Sequence, residues 1–100
     1  MIYITQFIYL KEGKEDIFIQ FEDFVLPLMK QYNGKMIYRL RPDEHAYVSG
    51  EEEKPYEIHF VEFDSEEDLN NYMKDERRLQ YTHLKDASVQ SMLLIKGARM

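Results

Sequence analysis

The chain contains no cysteine and no tryptophan, and only three prolines and four glycines in 100 residues. Without cysteine there is no disulfide, no thiol nucleophile and no thiolate metal site. The glycines are scattered, which removes Gly-rich phosphate-binding loops, and no Ser-His-Asp pattern is present. Basic charge is also scarce. Thirteen Lys and Arg stand against nineteen Asp and Glu, a formal net charge of −6. Nucleic-acid binding requires a basic footprint to offset phosphates, so no nucleic-acid partner is expected. The lone Arg77-Arg78 pair reads as a solvated helix end. No apolar run approaches the ~20 residues of a membrane span, so no membrane partner is expected either. The apolar N-terminus, MIYITQFIYL, lacks a basic leader and a small-residue cleavage site and reads as a strand. Together these absences point to a cytoplasmic protein. The length is that of one domain spanning residues 1–100. Such a chain buries roughly two thirds of its unfolded surface, enough for a core but not for a deep private cavity. A roomy ligand site therefore arises more readily between subunits.

What is present is a set of strongly patterned segments. Tyr56 to Ser65, YEIHFVEFDS, is rich in aromatic and β-branched residues and ends in an Asp-Ser helix N-cap signature with Glu67 and Asp68 close behind. It reads as a strand feeding a helix. Neither of its faces, Tyr56, Ile58, Phe60, Glu62 or Glu57, His59, Val61, Phe63, is a clean solvent face, so the strand is central and covered on both sides. Ile2 to Leu10 alternates between an aliphatic set (Ile2, Ile4, Ile8, Leu10, with Gln6) and an aromatic, partly polar one (Tyr3, Thr5, Phe7, Tyr9). From Glu15 to Asn33 the apolar positions Ile17, Phe18, Phe21, Phe24, Val25, Leu28, Met29 and Tyr32 form one helical stripe. Pro27 should kink that helix, and Asn33-Gly34 should end it.

Lys35 to Arg41 reads as a second strand, with Met36, Tyr38 and Leu40 opposite Ile37, Arg39 and Arg41. Pro42 to Pro55 is a long polar connection that holds His45 and the run Glu51-Glu52-Glu53, with room for a small hairpin around Ala46 to Val48. A helix is expected from Glu66 to about Arg78, a further helical turn from Leu79 to Ala87, and a last strand from Val89 to Lys96. The order β-α-β-β-α-β gives an α+β, ferredoxin-like fold: a four-stranded antiparallel sheet with both helices on one face. The other face would then leave Tyr3, Phe7 and Tyr9, with Val61 and Phe63 or their strand neighbours, in water. Monomers seldom tolerate such a patch, so a homodimer with paired sheets is expected.

The stretch Val25 to Arg39, VLPLMKQYNGKMIYR, resembles the "PLL-x-x-YGG-x-x-x-x-R" core of the DUF1330 domains. VEFDS at Val61 to Ser65 is similar to their "IEFPS" strand end. LKDA at Leu84 to Ala87, with the terminal LLIKG to Gly97, resembles their closing "LR-x-A…LVLVEG". The similarity spans nearly the whole chain. It implies membership of the dimeric α/β-barrel superfamily, in which two ferredoxin-like subunits join sheets around a shared interior. Relatives there include small antibiotic-biosynthesis-type monooxygenases and muconolactone isomerase-like proteins. Arg39, Glu62, Pro27 and Gly34 match the family pattern. His59 stands where an aliphatic residue is usual, and Lys96 where a glutamate is usual.

His59 is the leading candidate for chemistry, as a general base on an acidic C–H or O–H group if its face lines the dimer interior. Glu57 shares its face and could orient it. The plainer reading is a histidine hydrogen-bonded inside a packed strand. Arg39 could anchor an anion, or form a structural ion pair with Glu62, whose burial would demand a partner. Tyr3 and Tyr38, with Tyr9, Tyr56, Tyr72 and Tyr81, could line a pocket for a small apolar or aromatic ligand, although tyrosines more often serve core or interface. Glu57 with His59 is the only close pair of metal-ligand types, so no metal and no cofactor is expected. Three functions compete. One is a cofactor-independent oxygenase or isomerase acting on a small phenolic or keto-acid compound in the dimer interior, with His59 and Arg39 catalytic and Tyr3, Tyr38 and Glu62 binding the ligand. The second is a non-catalytic dimeric module for small-molecule binding or assembly. An RNA-recognition-like sheet is a distant third, given the acidic charge.

Overall fold

A computed structural model describes all 100 residues. The alternating N-terminal segment forms strand β1 (Ile2–Leu10), flanked on either side by antiparallel β3 (Glu57–Phe63) and β4 (Val89–Gly97). β2 (Gly34–Leu40) pairs with the far edge of β3, which gives the strand order β2-β3-β1-β4. The four-stranded antiparallel sheet and its helical layer are the expected ferredoxin-like α+β fold. No helix is long and apolar enough to cross a membrane.

The helical stripe after β1 becomes α1 (Glu15–Val25), with Glu15 and Asp16 in its first turn, where acidic side chains favour the helix dipole. Pro27 does not kink a continuing α-helix. The backbone changes instead to a 3-10 segment, Leu26–Tyr32, and the proline falls at its start, where a missing N–H leaves no bond unmade. Asn33 ends the segment in the left-handed conformation (φ 56°), its N–H bonded to the Met29 carbonyl. Gly34 is needed for a different reason. A Cβ there would lie 2.5 Å from the Phe63 ring and 3.0 Å from the Met29 carbonyl oxygen.

Ser65 caps α2 (Glu66–Lys74) by accepting from the Asp68 N–H at 3.1 Å. The expected run to Arg78 is interrupted at Asp75, whose backbone leaves the helix and whose carboxylate caps α3 (Glu76–Leu79) by accepting from the Arg77 N–H. α4 (Thr82–Ser88) then leads into β4. The expected hairpin at Ala46 to Val48 is absent. A 3-10 turn at Glu44–Ala46 stands there, Asp43 accepts from the His45 N–H, and the Val48 side chain is fully exposed with nothing to pack on. His45 is exposed, as expected.

The helices cover one face of the sheet, and the apolar core lies between in two parts. Ile4, Val61 and Phe63 pack with Met29, Leu69 and Tyr72 at one end, and Ile8 packs with Phe18, Phe21 and Val25 at the other. Thus Val61 and Phe63 face the helices. The apolar residues of β3 on the open face are their neighbours Ile58 and Phe60.

One irregularity decides which residues share a face. β2 carries a bulge: Met36 pairs with Val61 and Tyr38 with Phe60, so Ile37 is an extra residue. Plain alternation would place Met36 with Tyr38 and Leu40. The bulge resets the phase, and Arg39, opposite His59, joins Met36 on the helix-facing side. Tyr38 and Leu40 turn to the open face instead.

Candidate functional site

Directly opposed residues of antiparallel strands share a face. One row therefore crosses the helix-facing side of the sheet as Arg39, His59, Gln6 and Leu94. It runs between the two apolar clusters and is the only polar belt in the core. Above it lies α1. Its stripe of Phe18, Phe21, Glu22 and Val25 follows the i, i+3, i+4, i+7 spacing of one buried face, so the fold drives Glu22 into the core with its apolar neighbours. Glu22 meets His59 there.

The cluster has five members. His59 Nε2 lies 2.9 Å from Glu22 Oε2 and also bonds Glu57 Oε2. Arg39 donates to Glu22 at 2.7 Å and to Glu57 at 3.3 Å, and Arg41 donates to Glu57 at 2.6 Å. The two carboxylates and the imidazole are buried (Glu22 1 %, Glu57 0 % and His59 4 % exposed), whereas the arginine side chains close the cluster from the solvent side at 36 % and 45 % exposure. Every carboxylate oxygen has a partner, which is what burial of an ionised acid requires. His59 Nδ1 makes no hydrogen bond within the protein.

Burial pushes the Glu22 carboxyl up, and the neighbouring Glu57 adds to the rise, against the lowering effect of the His59 and Arg39 bonds. For Glu57, burial alone would also raise the value, but hydrogen bonds from His59 and Arg41 hold it well below the usual carboxylate range. Burial disfavours the His59 imidazolium, yet its bonds to Glu22 and Glu57 and their charges reverse that, and the net direction is upward. The three groups are in direct contact, so their protons come off as steps of the whole cluster.

A cavity of about 50 Å³ lies between sheet and helices beside this unit. Its wall is largely apolar, with Gln6, Glu22, His59 and Arg78 as the polar members. Glu22, Glu57 and His59 also bring three ligand-type atoms within 4.8 Å of one another, one more residue than strand spacing suggested. The charge that a divalent ion would neutralise is, however, already matched by Arg39 and Arg41.

The five candidate residues do not share one site. His59 and Arg39 come together on the helix-facing side of the sheet. Tyr3, Tyr38 and Glu62 lie on the open face, because they pair with Glu62, Phe60 and Tyr3 in the opposite phase of the pleat. The ion pair of Arg39 with Glu62 is therefore replaced by pairs with Glu22 and Glu57. Nor do the tyrosines line a single pocket. Tyr72 is core and donates to the Val25 carbonyl, Tyr56 meets Phe18 edge-on, and Tyr81 stacks on Phe24. Glu22, Arg41 and Arg78 were not anticipated. An acid placed four residues after Phe18 and three before Val25 on an apolar stripe was the available signal for Glu22. Only half of the Arg77-Arg78 pair is a solvated end: Arg77 is exposed and pairs with Asp75, whereas Arg78 is half-buried and folds over the Phe21 and Tyr72 rings.

The open face carries Tyr3, Phe7, Tyr9, Ile58, Phe60, Tyr38, Leu40, Leu93 and Ile95. The rings of Tyr3, Phe60 and Tyr38 lie nearly parallel across three strands, with centroids 5.9 and 6.5 Å apart. Tyr38 is 61 % exposed and Leu93 52 %. This surface is the unpartnered one.

No family model matches the chain. No curated protein matches it. Solved structures do. A protein of unknown function from Rhodopseudomonas palustris superposes with a TM-score of 0.85 at 13% identity, over 99% of this chain and 82% of that one. A dimeric ferredoxin-like protein of unknown function from Jannaschia sp. matches with a TM-score of 0.72 at 14% identity, over 98% of each chain. A proposed antibiotic biosynthesis monooxygenase from Nitrosomonas europaea matches with a TM-score of 0.76 at 8% identity, over 100% of this chain and 99% of that one. At these identities the likeness is one of fold.

Proposed function

We propose that the protein is a homodimeric, cofactor-independent isomerase or oxygenase that removes a proton from a small phenolic or keto-acid compound, and that it does so in the cavity within each subunit. The observation that supports this reading is the buried His59, whose Nε2–H is held between Glu22 and Glu57. That bond fixes the imidazole tautomer and orientation, and in the neutral ring, present above the raised His59 value, it leaves Nδ1 as the lone pair open to a substrate. Both reactions share their first step, transfer of an acidic C–H or O–H proton to the imidazole. An isomerase returns the proton to a different carbon. An oxygenase passes the resulting anion to dioxygen, the form to which the Nitrosomonas europaea fold relative lends support. Arg39 is a positioning residue here, since its guanidinium is committed to the two carboxylates.

The homodimer is supported by the nine-residue apolar surface on the open face, by the Jannaschia relative, and by the resemblance of Val25 to Arg39 to DUF1330 domains. Pairing of two such faces withdraws the Tyr3-Phe60-Tyr38 ladder from water. A second reading, a non-catalytic binding or structural module, draws on the complete pairing of the Glu22 and Glu57 oxygens, which satisfies the cluster without any ligand.

Deuterium incorporation from D2O into a panel of small keto acids and phenols, followed by proton NMR, separates the two. The wild type should exchange at least one member, and His59→Gln should slow that exchange by roughly 10²- to 10⁴-fold while preserving the dimer. Equal rates in the two proteins would remove His59 as the base. No exchange in either would favour the module.

A further inference from the structure

Among the arginines around the cavity, one has no carboxylate partner. Glu22 and Glu57 answer Arg39 and Arg41, carboxylate for guanidinium. Arg78 is left over. It lies on α3, lines the same cavity as His59 and makes no ion pair. Of the two acids just before it, Asp75 is taken by Arg77 and Tyr32, and Glu76 is exposed and forms no ion pair with Arg78. Its guanidinium carbon sits 5.2 Å from the centre of the Tyr72 ring and 5.8 Å from that of Phe21. Those ring faces steady a cation but accept no conventional hydrogen bond. The Nε–H is buried and has no acceptor. A buried donor without a partner costs free energy, and a guanidinium edge is the donor set best matched to a carboxylate.

We propose that Arg78 is the anchor of a small anionic ligand, a short-chain carboxylate, bound in the cavity with its body against the apolar wall and its far end toward His59. This rests on the reading of the cavity as the reaction site, and within that reading it selects acids over phenols. The cavity of about 50 Å³ exceeds several-fold the ~10–15 Å³ that one water needs, and it suits a ligand of about four to six non-hydrogen atoms. The carboxylate supplies both the missing acceptor and the missing charge.

The test compares butyrate with its neutral isostere butyramide, titrated into ¹⁵N-labelled full-length protein. The side-chain Nε–H resonance of Arg78 and the backbone resonances of His59 and Leu94 are the reporters. Butyrate should shift all three, and butyramide should bind at least roughly 10-fold more weakly, the usual scale of a lost charge-assisted bond. Arg78→Gln should weaken butyrate by roughly 10- to 100-fold, with Arg78→Lys intermediate because it keeps the charge and loses the planar fork. His59→Gln, which removes the base, should still bind butyrate. Equal binding of acid and amide would overturn the anchor while leaving the cavity as a site. Undiminished butyrate binding by Arg78→Gln would overturn it too. If neither compound moved a cavity resonance, both the anchor and the cavity reading would fall, whereas acid-selective binding without proton exchange would remove only the catalytic reading.

Discussion

A histidine buried between two carboxylates is held by what surrounds it. His59 binds its proton more tightly in the folded protein than in the unfolded chain, because the Glu22 and Glu57 charges outweigh the cost of burial. The stabilisation is complete below the ordinary histidine value of 6.5 and is lost as the pH rises through the folded value. Glu22, also raised, acts in the same direction. The urea midpoint should therefore fall as pH increases above about 6.5, and His59→Gln should flatten that limb. Gly34 offers a second check at this scale. Gly34→Ala drives a methyl into the Phe63 ring and the Met29 carbonyl and should cost about 1–3 kcal/mol in chemical denaturation, the range for overpacking. His59 and Glu57 were legible as candidates because strand alternation places them together. Glu22 was less so, since an acid on an apolar helix stripe is visible only when the stripe is counted position by position. Arg78 was hidden by its neighbour: two consecutive arginines at a helix end look solvated until Asp75 breaks the helix and turns one of them inward.

The strand and helix boundaries were largely legible, since β1, β3 and β4 each show alternation or β-branched runs and α2 opens on a readable cap. Ser65→Ala should lower stability by about 1 kcal/mol through loss of the bond to the Asp68 N–H, measured as a reduced denaturation midpoint with an unchanged slope. The bulge at Ile37 was not legible. Strict alternation in GKMIYRL is plausible in itself, and only pairing with β3 shows that one residue is skipped. The error it causes is large, because a one-residue slip moves every later side chain to the other face. Without the bulge, Arg39 would point to the open face and Glu22 would be buried without that guanidinium. The break at Asp75 belongs to the same class: helical spacing continues through Glu76 to Leu79, but the Asp75 side chain competes for the backbone and starts a new cap.

Across the whole molecule the sheet separates two roles. Its helix-facing side holds the ionic belt and the cavity, and its open side holds the aromatic ladder proposed to pair with a second copy. Phe60→Glu, which places a charge in the centre of that ladder, should convert the dimer to monomer by sedimentation velocity at micromolar concentration while leaving the far-UV circular dichroism unchanged. The uncovered apolar face was foreseeable because such area can be counted from strand patterns alone. The side on which His59 lies was not, since both faces of β3 are apolar enough to be buried. Whether Glu22 and Glu57 tighten the hold of His59 on its proton is tested most directly by the pH titration of the His59 ring by long-range ¹H–¹⁵N NMR. A midpoint above 6.5, with Nε2 carrying the proton in the neutral form and a lower midpoint in Glu22→Gln, is the predicted result. A midpoint below 6.5, or one that Glu22→Gln leaves unmoved, would contradict it.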